Sequence, residues 1–131
     1  MLTDSISDFI IQIKNGYMAH KDEIIAPSSN NKEAISRILS KYGYIGKIDI
    51  LKESKNMKKI KVELLYKNLI PQLTNIVRIS KPGKKVYVKA SKIHKVIGGM
   101  GDTIITTPMG MLSGKEAKRK GVGGELICKF W

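Results

Sequence analysis

TIITTPMGMLSGKEAKRKGVGG, spanning Thr103–Gly124, decides how the chain is read. It predicts a strand at Thr103–Thr106 that runs into the turn Thr106-Thr107-Pro108-Met109-Gly110. A short basic helix follows, then the glycine cluster Gly121-Val122-Gly123-Gly124. A closing strand ends the chain, with Leu126, Cys128 and Phe130 alternating toward Trp131. Ser113 and Glu116 have the spacing of a capping box, and Gly121 supplies a helix stop. Hydroxyls, glycine-freed amides and the cations Lys115, Lys118, Arg119 and Lys120 fall together here. That combination suits phosphate and sugar, which are held by basic side chains, hydroxyls and backbone N–H groups.

The residues just upstream extend the basic character. Ile76–Ser80 reads as a strand, Lys81-Pro82-Gly83 as a tight turn and Lys85–Lys89 as its return strand. Pro-Gly fits a type II turn, with glycine at positive φ. From Arg78 to Lys95 there are seven basic residues and no acidic one. Lys84 and Lys85 are therefore candidate phosphate contacts. Tyr87, between lysines, has two uses: stacking on a base or sugar, or packing on its own sheet. Val96-Ile97-Gly98-Gly99-Met100-Gly101 reads as a glycine-rich connection.

The N-terminal portion differs in charge and pattern. Ile6, Phe9, Ile10, Ile13 and Tyr17 recur at helical spacing, with Thr3 or Asp4 as cap, Asp8 in the first turn and Lys14-Asn15-Gly16 as the stop. The stripe is core, and Lys14 and Asn15 on the polar side are weaker RNA candidates. Glu23–Pro27 is a short strand. Ser28-Ser29-Asn30-Asn31 opens a second helix that buries Ile35, Ile38, Leu39 and Tyr42 and closes at a left-handed Gly43. Ser28 and Lys32 stand beside that helix start, where free amides accept anions; a solvated cap is the equal alternative. Ile48 and Ile50, then Ile60, Val62, Leu64 and Tyr66, alternate with charged residues as a hairpin.

The fold expected is α+β: an N-terminal α-β-α-β-β unit over 1–67, packed against a mostly β C-terminal unit with short helices over 76–131, with 68–75 as the connection. A chain of 131 residues fits this size. Its 24 Lys and Arg against 11 Asp and Glu give a net charge of +13. Residues 1–75 contribute +4 of this and residues 76–131 contribute +9, so the main anion contact is expected in the second unit. The single Cys128 excludes an internal disulfide framework, and its strand pattern makes it a core residue rather than a nucleophile. No apolar run approaches the ~20 residues of a membrane span, so a cytoplasmic setting is expected.

Enzymatic readings find little support. Gly114-Lys115 is followed by Glu116 rather than Ser or Thr, so the P-loop is absent, and neither glycine cluster spells the dinucleotide fingerprint. His20 and His94 belong to no ligand-spaced cluster. No catalytic residue, metal, cofactor or small-molecule substrate is expected. A free-standing basic nucleic-acid-binding or translational regulatory protein is one reading, although no DNA-reading element stands out. A small enzyme acting on a phosphorylated ligand ranks third.

Three groups of residues carry a resemblance. They are Asp4-Ser5-Ile6-Ser7-Asp8 with Ile13-Lys14-Asn15; Arg78-Ile79-Ser80-Lys81-Pro82-Gly83 with Val86-Tyr87; and Thr106-Thr107-Pro108-Met109-Gly110, Lys115-Glu116-Ala117, Gly121-Val122-Gly123-Gly124-Glu125 and Trp131. With these the chain resembles, over nearly its whole length, the bacterial-type small-subunit ribosomal proteins numbered eight. The resemblance implies the two-unit fold, a non-catalytic role, direct binding to the central domain of small-subunit rRNA, an early part in assembly, neighbouring small-subunit proteins as partners, and a place in a cytoplasmic or organellar ribosome. It implies an RNA-facing set drawn from Thr106, Thr107, Pro108, Gly110, Gly123, Gly124 and Glu125, supported by Tyr87, Lys84, Lys85, Lys115, Lys118 and Arg119. There are three departures. The family turn reads Ser-Thr-Ser, a residue, then Gly, and Pro108 removes a hydroxyl and an N–H from it. Ser5 stands where a helix-opening proline is common. Asp102 replaces an aliphatic residue and is expected to reach solvent or a cation.

Overall fold

The computed structural model describes residues 5–94, 96 and 100–131. The expected cap at Thr3 or Asp4, Lys95, and the Ile97-Gly98-Gly99 part of the glycine-rich connection lie outside them. The chain divides into two compact units, Ser5–Thr74 and Asn75–Trp131, and its architecture is α+β.

In the first unit, helix α1 (Ser5–Met18) and helix α2 (Asn30–Lys41) contact an antiparallel sheet of β1 (Glu23–Pro27), β2 (Ile48–Ser54) and β3 (Met57–Glu63), ordered β1-β3-β2. The helical stripe is buried through Phe9, Ile10, Ile13 and Tyr17. Ile24 and Ala26 of β1, and Ile60 and Val62 of β3, are buried as well. Full burial of an aliphatic or Phe side chain contributes about 1.5–3 kcal/mol, so this stripe and sheet face hold the unit together. On the other face the charges pair: Lys61 with Glu23 at 3.2 Å and Lys59 with Glu53 at 3.1 Å. Helix α2 ends as expected, with Gly43 at φ +80°. The Tyr44 amide donates to Leu39 O at 2.9 Å and the Gly43 amide to Ser40 O at 3.1 Å, the paired bonds of a Schellman motif.

Two expectations for this unit are corrected. Gly16 does not stop α1, which runs on to Met18. A Cβ at Gly16 would come within 2.7 Å of Ile24 and 2.9 Å of Leu64, so the glycine serves close packing of helix on sheet. The strand expected to continue to Tyr66 ends at Glu63. Tyr66–Lys67 (β4) instead pairs with Ile70–Pro71 (β5) in a small separate hairpin, whose turn and second strand lie in the stretch read as a connection.

The second unit is a five-stranded antiparallel sheet built on the last strand. Strands β6 (Ile76–Arg78), β8 (Asp102–Thr107), β9 (Gly110–Ser113) and β10 (Gly124–Phe130) run in the order β6-β10-β8-β9, and β7 (Tyr87–Val88) also pairs with β10. The hairpin expected between residues 76–80 and 85–89 does not form. Both segments lie on β10 instead, β6 opposite Cys128–Phe130 and β7 opposite Gly124–Glu125. Only the turn itself closes locally, through mutual bonds between Lys81 and Lys84 at 3.0 and 3.1 Å. Gly83 does not take the left-handed φ that type II requires. Pro82 fixes only the first turn residue, which types I and II share, so proline could not select between them.

Helix α3 (Gly114–Lys120) contacts β8 and β9. Its ends are as expected: the Ser113 hydroxyl accepts the Glu116 amide at 3.2 Å, and Gly121 closes the helix at φ +70°. Below it, Ile93, Ile105, Leu112 and Ala117 form a buried apolar cluster. Cys128 is fully buried, and burial pushes its thiol up to about 12, so it holds no thiolate at neutral pH.

Candidate nucleic-acid interface

Register across the second unit assembles a row that sequence spacing does not reveal. Tyr87 lies opposite Glu125, Glu125 opposite Thr106, and Thr106 opposite Met111. Directly opposed residues of an antiparallel sheet share a face with Cβ atoms about 4.5–5.5 Å apart. At about 4.8 Å between strands, the four side chains span roughly 14 Å. Tyr87 is 68% exposed, Thr106 is exposed, and Glu125 and Met111 are half-buried. Tyr87 therefore presents its ring to solvent, which favours the stacking use over internal packing. Met111 was missed because nothing in its spacing marks it; only the β8–β9 register brings it to the row.

The turn at the end of the β8–β9 hairpin is shaped by two residues. Pro108 holds φ near −65°, which rules out the primed turns that two-residue hairpins favour, both of which need positive φ at that position. Gly110 takes φ +103° and lets the chain rejoin the ladder opposite Thr107. The Thr107 hydroxyl donates to Gly110 O at 2.7 Å and accepts the Met109 amide at 3.0 Å. Thr107 is thus buried and shapes the turn, whereas Thr106, Pro108, Met109 and Gly110 face solvent. Of the two hydroxyls expected to address ribose, the structure leaves Thr106 outward and turns Thr107 inward.

The glycines also serve the protein. A Cβ at Gly124 would overlap the Thr106 carbonyl, and one at Gly123 would overlap the Val88 carbonyl. Their close backbone approach, expected toward RNA, is made to β8 and to the end of β7 with the residues that follow it.

Glu125 is held from below. The buried Ser80 hydroxyl donates to Glu125 Oε2 at 2.5 Å and accepts the Val86 amide at 3.2 Å. This ties the Lys81–Lys84 turn to the row, with Lys84 and Lys85 exposed beside it in the chain. Ser80 was missed as a positioning residue because its partner is 45 residues away.

Lys115, Lys118 and Arg119 are exposed on α3. The helix is set against β8 by Asp102, whose carboxylate accepts the Thr103 amide at 2.7 Å and the Lys115 amide at 3.4 Å. Asp102 is buried rather than solvent-reaching, and of the two expected outlets it is the cation, Lys115, whose charge acts on it. Burial raises its pKa, while the Thr103, Lys115 and Gly114 amides and the Lys115 charge oppose that rise.

Four candidate residues belong to the first unit. Lys32 is drawn inward: it is 7% exposed, its Nζ donates to Pro27 O at 2.8 Å, and it lies 6.0 Å from the Phe9 ring centroid. It is a core-sealing cation, not an open phosphate contact. Ser28 is half-buried with its hydroxyl turned in, and Ser29 is the residue that caps α2, accepting the Lys32 amide at 3.3 Å. Asn15 is exposed and Lys14 half-buried. Among the described residues no group of three or more His, Cys, Asp or Glu is arranged to hold a metal. No helix among them is long and apolar enough to cross a membrane.

Fold and surface define the class: a small basic α+β protein that presents a polar sheet row and a short cationic helix to solvent. The family model described as Ribosomal protein S8 matches residues 4–131. The small ribosomal subunit protein uS8 of Dictyoglomus turgidum is 41% identical over 130 residues, covering 99% of this chain and 98% of the relative. The proteins of the same name from Koribacter versatilis and Thermodesulfovibrio yellowstonii are 37% and 41% identical, covering 98% and 100% of the relatives and all of this chain. The chain belongs to the Ribosomal protein S8 family, whose members are structural proteins rather than enzymes.

Proposed function

We propose that this chain is a structural constituent of the small ribosomal subunit that binds directly to the central domain of small-subunit rRNA and supports its assembly, beside neighbouring small-subunit proteins. The observation that carries the RNA-facing role is the Tyr87–Glu125–Thr106–Met111 row in the unit that holds most of the net charge. An exposed tyrosine offers a stacking plane, and an exposed threonine offers a donor and acceptor for a 2′-hydroxyl. Lys84, Lys85, Lys115, Lys118 and Arg119 neutralise phosphate and set register without reading sequence. The stiff Pro108 turn selects by shape. The choice of the central domain is supported by the family resemblance.

A salt titration of binding to a central-domain rRNA fragment tests this reading. Each neutralised phosphate contributes roughly −0.7 to −0.9 to the slope of log K against log salt, so several contacts predict a steep line. Duplex DNA of equal length should compete poorly. A flat slope, or equal competition by DNA, would count against the assignment.

A further inference from the structure

The β4–β5 hairpin carries a feature the rRNA reading does not use. Its two turn residues, Asn68 and Leu69, both take left-handed φ, +54° and +67°. This backbone matches a type I′ turn, which Asn-Gly suits. Asn68 tolerates it; Leu69 adopts it against the steric preference of a side chain with a Cβ. Leu69 is nevertheless 82% exposed and Ile70 67% exposed, so neither side chain contributes to the core.

The base of the hairpin is held firmly. The Tyr66 hydroxyl donates to Lys21 O at 2.7 Å, and its ring meets Tyr17 edge-on at 5.4 Å and stacks on His20 at 5.6 Å. The Gln72 amide donates to Leu65 O at 2.9 Å, and Leu73 is buried. An exposed aliphatic pair, its leucine held at left-handed φ, is thus presented on a fixed stem, which lowers the ordering cost of docking.

The charge pattern selects the partner. From Leu64 to Val77 the only charged side chain is Lys67, in a chain with 24 Lys and Arg. Leucine and isoleucine offer RNA no cation, no hydroxyl and no stacking plane. We infer that the Leu69–Ile70 tip is a protein-docking knob that inserts into an apolar pocket on a neighbouring small-subunit protein. This rests on the chain being a small-subunit constituent.

The test is a competition. The double variant Leu69→Asn, Ile70→Thr keeps a residue that tolerates left-handed φ and a good strand former, so its thermal midpoint should not fall. Mixed equally with the unaltered protein and reconstituted into small subunits from purified rRNA and proteins, it should be under-represented about tenfold, the loss of one apolar anchor. Its affinity for the isolated rRNA fragment should be unchanged. Equal incorporation, or weakened binding to the isolated fragment, overturns the knob. Failure of the unaltered protein to bind the fragment would instead sink the rRNA reading. Independently of folding, p-benzoylphenylalanine placed at Ile70 should cross-link to a protein in assembled particles; an rRNA adduct or none overturns the inference.

Discussion

The hydroxyl of Ser80 lies 2.5 Å from the Glu125 carboxylate and donates to it, joining a buried turn residue to the middle of the exposed row. Because the same oxygen accepts the Val86 amide, one small side chain locks the Lys81–Lys84 turn onto β10. Ser80→Ala leaves the Val86 N–H without this acceptor and the carboxylate without its donor. We expect a loss of about 1–3 kcal/mol of stability, with weaker rRNA binding as Tyr87 and Lys84 lose their support. A urea midpoint unchanged from that of the unaltered protein would show that the link is idle.

Thr106 and Thr107 should separate cleanly. Thr106→Val removes an exposed hydroxyl and should leave stability within about 0.5 kcal/mol while weakening rRNA binding. Thr107→Val removes both turn bonds and should lower stability by roughly 1–2 kcal/mol. Paired thermal melts and fragment titrations read both. If both variants bind equally well, Thr106 has no part in the interface.

Asp102 predicts a pH effect. Its pKa is raised above the ordinary 3.8, so the folded chain takes up this proton at a higher pH than the unfolded chain. The group's contribution is therefore most favourable in acid and is lost as pH rises through the window between its unfolded and folded values. Asp102→Asn removes this dependence. Its thermal midpoint relative to the unaltered protein should be highest at neutral pH and should shrink on acidification toward pH ~4. A difference that does not change with pH would contradict the buried charge.

Tyr17 predicts an effect in alkali. Its hydroxyl donates to Tyr44 O at 2.6 Å and accepts the Leu65 amide at 3.2 Å. Burial, its largest cause, raises its pKa from 10.0 to about 12. The unfolded chain ionises first, so stability falls as pH rises between those values. Tyr17→Phe should cost about 1–3 kcal/mol at neutral pH by orphaning two backbone groups. It should also lose less stability than the unaltered protein between pH 10 and 12. Parallel slopes in that range would remove Tyr17 as the source.

Local chemistry made some of this legible in the chain. Ser113 with Glu116, and Gly43 and Gly121 at helix ends, act through bonds within a few residues, so their spacing suffices. The alternation of Ile60 and Val62 with Lys59 and Lys61 likewise reports one buried face. The hairpin between residues 76–80 and 85–89 was misread because a turn signal at Pro82-Gly83 says nothing of what its flanks will pair with. Both flanks pair with β10 instead, which arrives from the far end of the chain. The left-handed Leu69 was illegible because its side chain disfavours that conformation and only the surrounding structure holds it there.

By itself, then, the sequence determined the α+β class, the basic second unit and the hydroxyl-and-proline turn, since these follow from periodicity, net charge and φ restriction. Tertiary structure decided which of the named groups face outward. Lys32 goes to the Pro27 carbonyl and Thr107 to its own turn, while Tyr87, Glu125, Thr106 and Met111 become neighbours through strand register. The reason is physical: a polar group's destination depends on donors and acceptors that folding brings from distant parts of the chain.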